Sequence, residues 1–206
     1  MPKGSPELTA ARKEEIMNAC AKLYRTMSFK EITLKDVGEV TSFSRTSIYN
    51  YFQTKEEIFL GLFQREYELW CGQLEEILED PRYYTAEELT DRIVDTLSER
   101  ELMLKLLAVN LYDMEENSRL ERLVELKKAY GRSMELMDQI LGKHFPERSE
   151  AERRETVIAL FEFLHGLYPY AYHTKKQEEA MKIAGITPVN TGIEELASAG
   201  LRRILA

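Results

Sequence analysis

Apolar residues recur three and four positions apart along almost the whole chain, the spacing that gives a helix one buried stripe. Ile16, Cys20, Leu23, Tyr24 and Met27 mark a first amphipathic helix over residues 10–27, with Thr9 as its N-cap. Thr33 with Asp36 forms a capping box for a second helix ending near Thr41, and Ser44 caps a third after a tight Ser42-Phe43-Ser44 corner. Thr54 and Glu57 open a long helix carrying Ile58, Leu62, Phe63, Tyr67, Trp70, Leu74 and Ile77, which Asp80-Pro81 stops near Glu79. Thr85 with Glu88 starts the next helix, and residues 102–112 are apolar nearly all round, as in a helix buried on several sides. Ser118 begins a helix with the stripe Leu120, Leu123, Tyr130, Met134, Met137 and Leu141, closed by Gly142, His144 and Pro146. Ser149 and Glu152 box the start of another, with Val157, Leu160, Phe161, Leu164, His165 and Tyr168, which Pro169 should kink or end. A short polar helix over 175–184, a loop at 187–190 and a last helix opened by Thr191 and Glu194 complete the chain. Strand-like alternation is not sustained anywhere, so the expected fold class is all-α.

Composition narrows the setting. The 206 residues can bury a sizeable core, and 44% hydrophobic with 31% charged residues describe a globular domain. No run approaches the ~18 apolar residues of a membrane span, and MPKGSPELTAARKEE lacks the apolar centre of a signal peptide, so the expected location is cytoplasmic. Cys20 and Cys71 form no C-x-x-C pair and read as small buried apolar residues. The net charge of −8 argues against nucleic acid only until the chain is divided. Residues 1–55 hold nine Lys and Arg against six Asp and Glu, while the remainder holds nineteen against thirty, so a basic head precedes an acidic body.

That basic head has the chemistry of a helix-turn-helix. Val37, Val40, Phe43, Ile48 and Phe52 can form one small core, which leaves Lys35, Arg45, Thr46, Ser47, Tyr49, Asn50, Tyr51 and Lys55 to supply positive charge, hydroxyls and an amide. Arg45, Thr46 and Ser47 occupy the first turn of the third helix, where a recognition helix places base-contacting side chains. Lys55, beside the free N–H groups of a helix start, makes a phosphate-binding corner. The stretch Ser44-Arg45-Thr46-Ser47-Ile48-Tyr49-Asn50-Tyr51-Phe52, followed by Thr54-Lys55-Glu56, resembles the DNA-binding domain of the tetracycline-repressor (TetR) family. Two positions depart from that pattern: Ser28 and Ser42 stand where glycine is common. The resemblance implies a DNA-binding domain over residues 1–54 and a helical effector-binding and dimerisation domain over 55–206. It further implies a homodimeric repressor on a pseudo-palindromic operator, released when a small hydrophobic effector moves the helix that begins at Lys55. On this reading Arg45, Thr46, Ser47, Tyr49 and Asn50 contact bases or nearby phosphates, and Lys35, Tyr51 and Lys55 grip the backbone.

In the body, Trp70, Met103, Tyr130, Met134, Phe161 and Tyr168 could line an apolar cavity, with Asn110 and His165 as polar groups that orient a ligand. The last helix presents Ile193, Leu196, Ala197, Gly200, Leu201 and Ile204, and Gly200 invites close approach by another helix. With Leu160 and Leu164, the residues Leu196, Ala197, Gly200, Leu201 and Ile204 read either as packing within one monomer or as a two-fold dimer interface, and the family resemblance favours the dimer. Two other readings follow from the residues: a DNA-binding dimer controlled by a protein partner, and a metal-dependent bundle enzyme built on Glu162 and His165. The second lacks a further Glu-x-x-His pair, and no Gly-x-Ser-x-Gly elbow or neighbouring Cys and His is present, so neither an enzyme nor a cofactor is expected.

Overall fold

A computed structural model describes residues 5–109, 111–187 and 191–206 of the chain. The described residues fold into helices alone: α1 (Pro6–Tyr24), α2 (Leu34–Glu39), α3 (Arg45–Ile48), α4 (Lys55–Glu79), α5 (Ala86–Ser98), α6 (Glu101–Leu107), α7 (Leu111–Glu116), α8 (Leu120–His144), α9 (Glu150–Ala171), α10 (Lys175–Ile183) and α11 (Ile193–Leu205). They divide into two compact units, one of Met1–Glu66 with Val109–Tyr130 and one of Tyr67–Ala108 with Gly131–Ala206. The head thus reaches past residue 54 and takes in a stretch from the second half of the chain.

In the first unit, α1 turns Ile16, Met17, Cys20 and Tyr24 inward. They meet Ile32, Val37, Ile48, Phe52, Ile58 and Phe59, all nearly or fully excluded from water. Each such side chain contributes about 1.5–3 kcal/mol of transfer free energy. Tyr24 and Phe29 set their edges against Phe59, with ring centroids 5.0 and 4.8 Å away, an arrangement that suits the ring quadrupoles. Cys20 lies in this core, where burial pushes its thiol up to about 12 and leaves it unreactive. The first helix starts earlier than its apolar stripe suggests. Ser5 caps it by accepting from Leu8 N, and Pro6 takes a first-turn position where a missing N–H costs little.

In the second unit, α11 packs on α5 and α9, and α6 packs on α9. Leu89, Ile93, Leu97, Met103, Leu104, Leu106, Leu160, Leu164, Ala197, Leu201 and Leu205 are fully buried there. Gly200 is where α11 meets α9: a Cβ on it would lie 2.2 Å from Phe163 Cζ. The close approach read from that glycine is therefore made within a single chain.

Local expectations were met at Thr33, Thr85 and Ser149, each of which closes a reciprocal capping box. Others fail for identifiable reasons. Residues 102–112 do not form one helix, because α6 ends at Leu107 and α7 begins at Leu111. The last helix takes Gly192, not Thr191, as N-cap, with no side-chain cap bond. Pro169 lies inside α9, which runs on to Ala171. The helix thus ends two residues beyond the proline, whose missing N–H leaves the His165 carbonyl without its usual partner in the helix. Pro188, Val189 and Asn190 of the expected loop lie outside the described residues.

Candidate nucleic-acid interface

The corner between α2 and α3 is built from small residues and hydroxyls. A Cβ on Gly38 would stand 3.3 Å from the backbone N of Arg45, so the two helices pass unusually close at this point. Thr41 Oγ1 accepts from Phe43 N at 3.3 Å, and the Ser42 N–H donates to Glu15 Oε1 at 2.8 Å. No described residue other than glycine has a positive φ, so Ser42 takes its place in the turn without backbone strain.

Ser44 then caps α3, accepting from Ser47 N at 3.2 Å. Ile48 and Phe52 are buried and pin the element to the core. Arg45, Thr46, Tyr49 and Asn50 are left exposed on the other side. Arg45 lies 5.8 Å over the Tyr49 ring and donates to its hydroxyl at 3.1 Å, which aligns the two side chains in advance. Ser47 is half-buried and shares its hydroxyl with Ser44 at 3.0 Å. Lys35 is exposed, 3.6 Å from Glu39 in a surface pair that holds it only weakly.

Two expected backbone contacts are placed differently. Tyr51 is buried, and its hydroxyl accepts from Arg12 Nη1 at 2.9 Å, so Arg12 is the charge presented at that point. Arg12 also lies over Phe43 at 5.9 Å and helps line a groove of about 510 Å³ with Glu15, Ser47 and Asn50. The sequence carried no local signal for Arg12, which reads as one more polar residue of an amphipathic helix. Lys55 is the second correction. Its ammonium donates to the carbonyls of Phe29 at 2.8 Å, Ile32 at 3.0 Å and Lys30 at 3.4 Å, and sits 4.6 Å from the Phe29 ring centroid. An ammonium has three protons, and all three are directed inward, so Lys55 closes the α1–α2 connection and does not reach for phosphate.

Of the residues expected around an effector, Trp70, Met103, Met134, Phe161, His165 and Tyr168 belong to the second unit. Trp70 and Met103 are fully buried, and the indole N–H of Trp70 donates to Thr96 Oγ1 at 2.9 Å. Phe161 is buried 5.7 Å from Trp70, while Met134 and Tyr168 are half-buried. Tyr130 is the last residue of the first unit. Asn110 lies outside the described residues. His165 is a correction: it is exposed, and its Nδ1 lies 2.8 Å from Phe161 O in its own helix, so it does not point into an apolar cavity. Glu162 is exposed as well, which leaves the supposed metal pair facing outward. The interface also needs correcting. Leu160, Leu164, Ala197 and Leu201 are buried inside one chain and offer nothing to a second copy; only Leu196, Gly200 and Ile204 of that set stay half-exposed.

Comparison with known proteins places this architecture. Residues 64–206 match the family model described as "Tetracyclin repressor-like, C-terminal domain". An uncharacterized helix-turn-helix transcriptional regulator of Bacillus subtilis, YfiR, is 35% identical over 63 residues, which is 31% of this chain and 31% of that protein. The chain therefore matches about a third of the length of that curated relative. Among solved structures, the TetR-family regulator PfmR of Thermus thermophilus superposes with a TM-score of 0.62 at 18% identity, covering 92% of this chain and 96% of that one. FadR of Bacillus subtilis, solved with stearoyl-CoA, gives 0.63 at 15% identity, over 94% and 97%. SmeT, the repressor of a multidrug efflux pump in Stenotrophomonas maltophilia, gives 0.60 at 18%, over 96% and 90%. At such identities the solved structures speak for the fold, while the family match spans well over half of the sequence. The chain belongs to the tetracycline-repressor-like (TetR) family.

Proposed function

We propose that the chain is a DNA-binding transcriptional repressor working as a homodimer in the cytoplasm, with a small hydrophobic effector that releases it from its operator. The observation that carries this reading is the first turn of α3 together with the two residues that follow the helix. Arg45, Thr46, Tyr49 and Asn50 stand exposed on a short capped element whose other side is locked into the head core. Side chains in the first turn of a recognition helix reach base edges in the major groove, and Arg and Asn are suited to guanine and adenine respectively. Lys35 and Arg12 supply flanking positive charge for phosphates.

Two copies of the chain would meet through the side of α9 that faces away from its own core. Ile158, Ala159, Glu162 and Tyr170 are exposed there, and Leu196, Gly200 and Ile204 of α11 are half-exposed. A two-fold axis through this face gives a self-complementary contact, and with it an inverted-repeat operator whose half-site centres are about 34 Å, or a multiple of that, apart. The stearoyl-CoA in the FadR structure supports an apolar ligand in a fold of this kind. Here Trp70, Met103, Met134, Phe161 and Tyr168 supply apolar surface, and ligand binding would favour a body conformation that shifts α4.

Selection from random-sequence DNA by the purified protein tests the reading. Enrichment of an inverted repeat is expected. No enrichment at low salt removes DNA recognition from consideration. A panel of apolar ligands followed by thermal unfolding then identifies effectors as compounds that raise Tm and weaken operator binding together.

A further inference from the structure

We propose that Glu57 and Arg119 are positioning residues for DNA recognition: their ion pair fixes the corner from which α3 projects, and a segment from the second half of the chain thereby completes the head. The inference rests on the DNA-binding reading above and adds the residues that hold the reading element in place.

Glu57 is in the first turn of α4 and is fully buried. Both of its oxygens are saturated. Oε1 accepts from Arg119 Nε at 2.6 Å and from Arg119 N at 3.3 Å; Oε2 accepts from Arg119 Nη2 at 2.8 Å and from the Gln53 N–H at 2.8 Å. Gln53 follows Phe52 directly, so one carboxylate ties the exit of the recognition element to the start of α4 and to Arg119. Burial pushes the Glu57 carboxyl up, but the guanidinium and the two backbone N–H groups outweigh it and hold the group below the usual carboxylate range.

Arg119 immediately precedes α8, in the stretch Val109–Tyr130 that belongs to the head unit. Two further contacts make the same junction. Thr54 Oγ1 donates to Asn117 O at 2.9 Å, and Arg122 lies 5.7 Å over the Phe52 ring. A fork-on-fork guanidinium and carboxylate is directional as well as attractive, so it sets an angle. In stability the pair is half-buried, with Glu57 enclosed and the Arg119 side chain 41% exposed, so much of its attraction is screened, while loss of the guanidinium alone leaves an enclosed carboxylate unpaired. Angle is therefore what this pair contributes and what an apolar replacement cannot reproduce.

The experiment compares full-length wild type, Arg119→Ala and the double variant Glu57→Met with Arg119→Met. Each is measured by denaturant unfolding, by amide exchange over residues 44–52, and by binding to the wild type's selected repeat and to a scrambled duplex. Arg119→Ala should lose stability and repeat binding together, because a buried carboxylate is left unpaired. The double variant should recover part of the stability that Arg119→Ala loses, since no carboxylate is left unpaired although the Gln53 and Arg119 N–H groups lose their acceptor, yet exchange the 44–52 amides about tenfold faster and bind the repeat about tenfold more weakly, with the scrambled duplex unaffected. Wild-type exchange and wild-type repeat affinity in the stable double variant would overturn the proposal. The exchange arm decides it even if the wild type selects no sequence, in which case the DNA reading fails separately.

Discussion

The outer face of α3 and the first turn of α4 are only a few residues apart, and both are rich in polar side chains, but the two sets are employed in opposite ways. Arg45, Thr46, Tyr49 and Asn50 are exposed and keep most of their hydrogen-bonding capacity for an outside partner. Lys55 and Glu57 have theirs filled, three carbonyls for the ammonium and four N–H contacts for the carboxylate. A charged residue in a recognition motif is thus not a contact residue by virtue of its charge. What separates an available side chain from a holder is whether the protein has already satisfied the group.

Replacing the holder should have the largest effect. Lys55→Ala strips the donor from three carbonyls and is expected to destabilise the head by about 2–3 kcal/mol, the worth of charge-assisted hydrogen bonds in a partly buried site. Denaturant unfolding would register this, and the salt slope of DNA binding by the remaining folded protein should be unchanged. A slope flattened by one unit with stability intact would return Lys55 to the phosphates. Arg45→Ala is the opposite case: Tm should hold, while discrimination at one base position per half-site falls by about 1–3 kcal/mol in competition binding.

The second unit offers the same contrast through a buried histidine. His144 is buried, its Nδ1 accepts the Tyr84 N–H at 3.0 Å, and its ring lies 5.0 Å from that of Tyr84. Burial, and then the Lys143 ammonium beside it, lower its pKa, with the Asp80 carboxylate opposing them. Arg82 is held on Asp80, which also takes the Tyr84 hydroxyl. Because the folded value lies below the unfolded value of about 6.5, the unfolded chain takes up the proton first as pH falls. The stabilising contribution is thus complete above that value and declines as the medium is acidified through it. Urea midpoints between pH 8 and pH 5 should fall, and His144→Phe should flatten that decline; an unchanged slope would remove His144 as its source.

Lys35→Ala should have the smallest effect. Its pair with Glu39 is exposed, so stability should move by less than about 0.5 kcal/mol, and only the salt slope should drop, by about one unit.

Much of the fold could be read directly from local pattern. Capping residues with their partner three positions on located the starts of α2, α5 and α9, since both members of such a box are neighbours in the chain. Apolar spacing located α4 and α8, and Ser44 located the start of α3. The break between α6 and α7 left no local mark, because an apolar run gives the same periodicity signal whether it is one helix or two. At the site, Arg45, Thr46, Tyr49 and Asn50 were legible because their positions relative to a helix start decide which side they occupy. Lys55, His165 and the interface leucines were misplaced for a common reason. Nothing in a stripe says whether its cover comes from the same chain, from a partner or from DNA.

The sequence alone determined that this protein is all-helical, that a basic helix-turn-helix leads an acidic body, and which turn of which helix faces outward. These properties follow from spacings of three and four residues and from the balance of charge along the chain. Only the tertiary structure decided that Lys55 is bound to three carbonyls, that Arg12 stands behind Tyr51, that Gly200 makes room for Phe163, and that Glu57 meets Arg119 sixty-two positions away. Whether a polar group is free or satisfied depends on atoms brought to it by distant parts of the chain, and local periodicity contains no record of them.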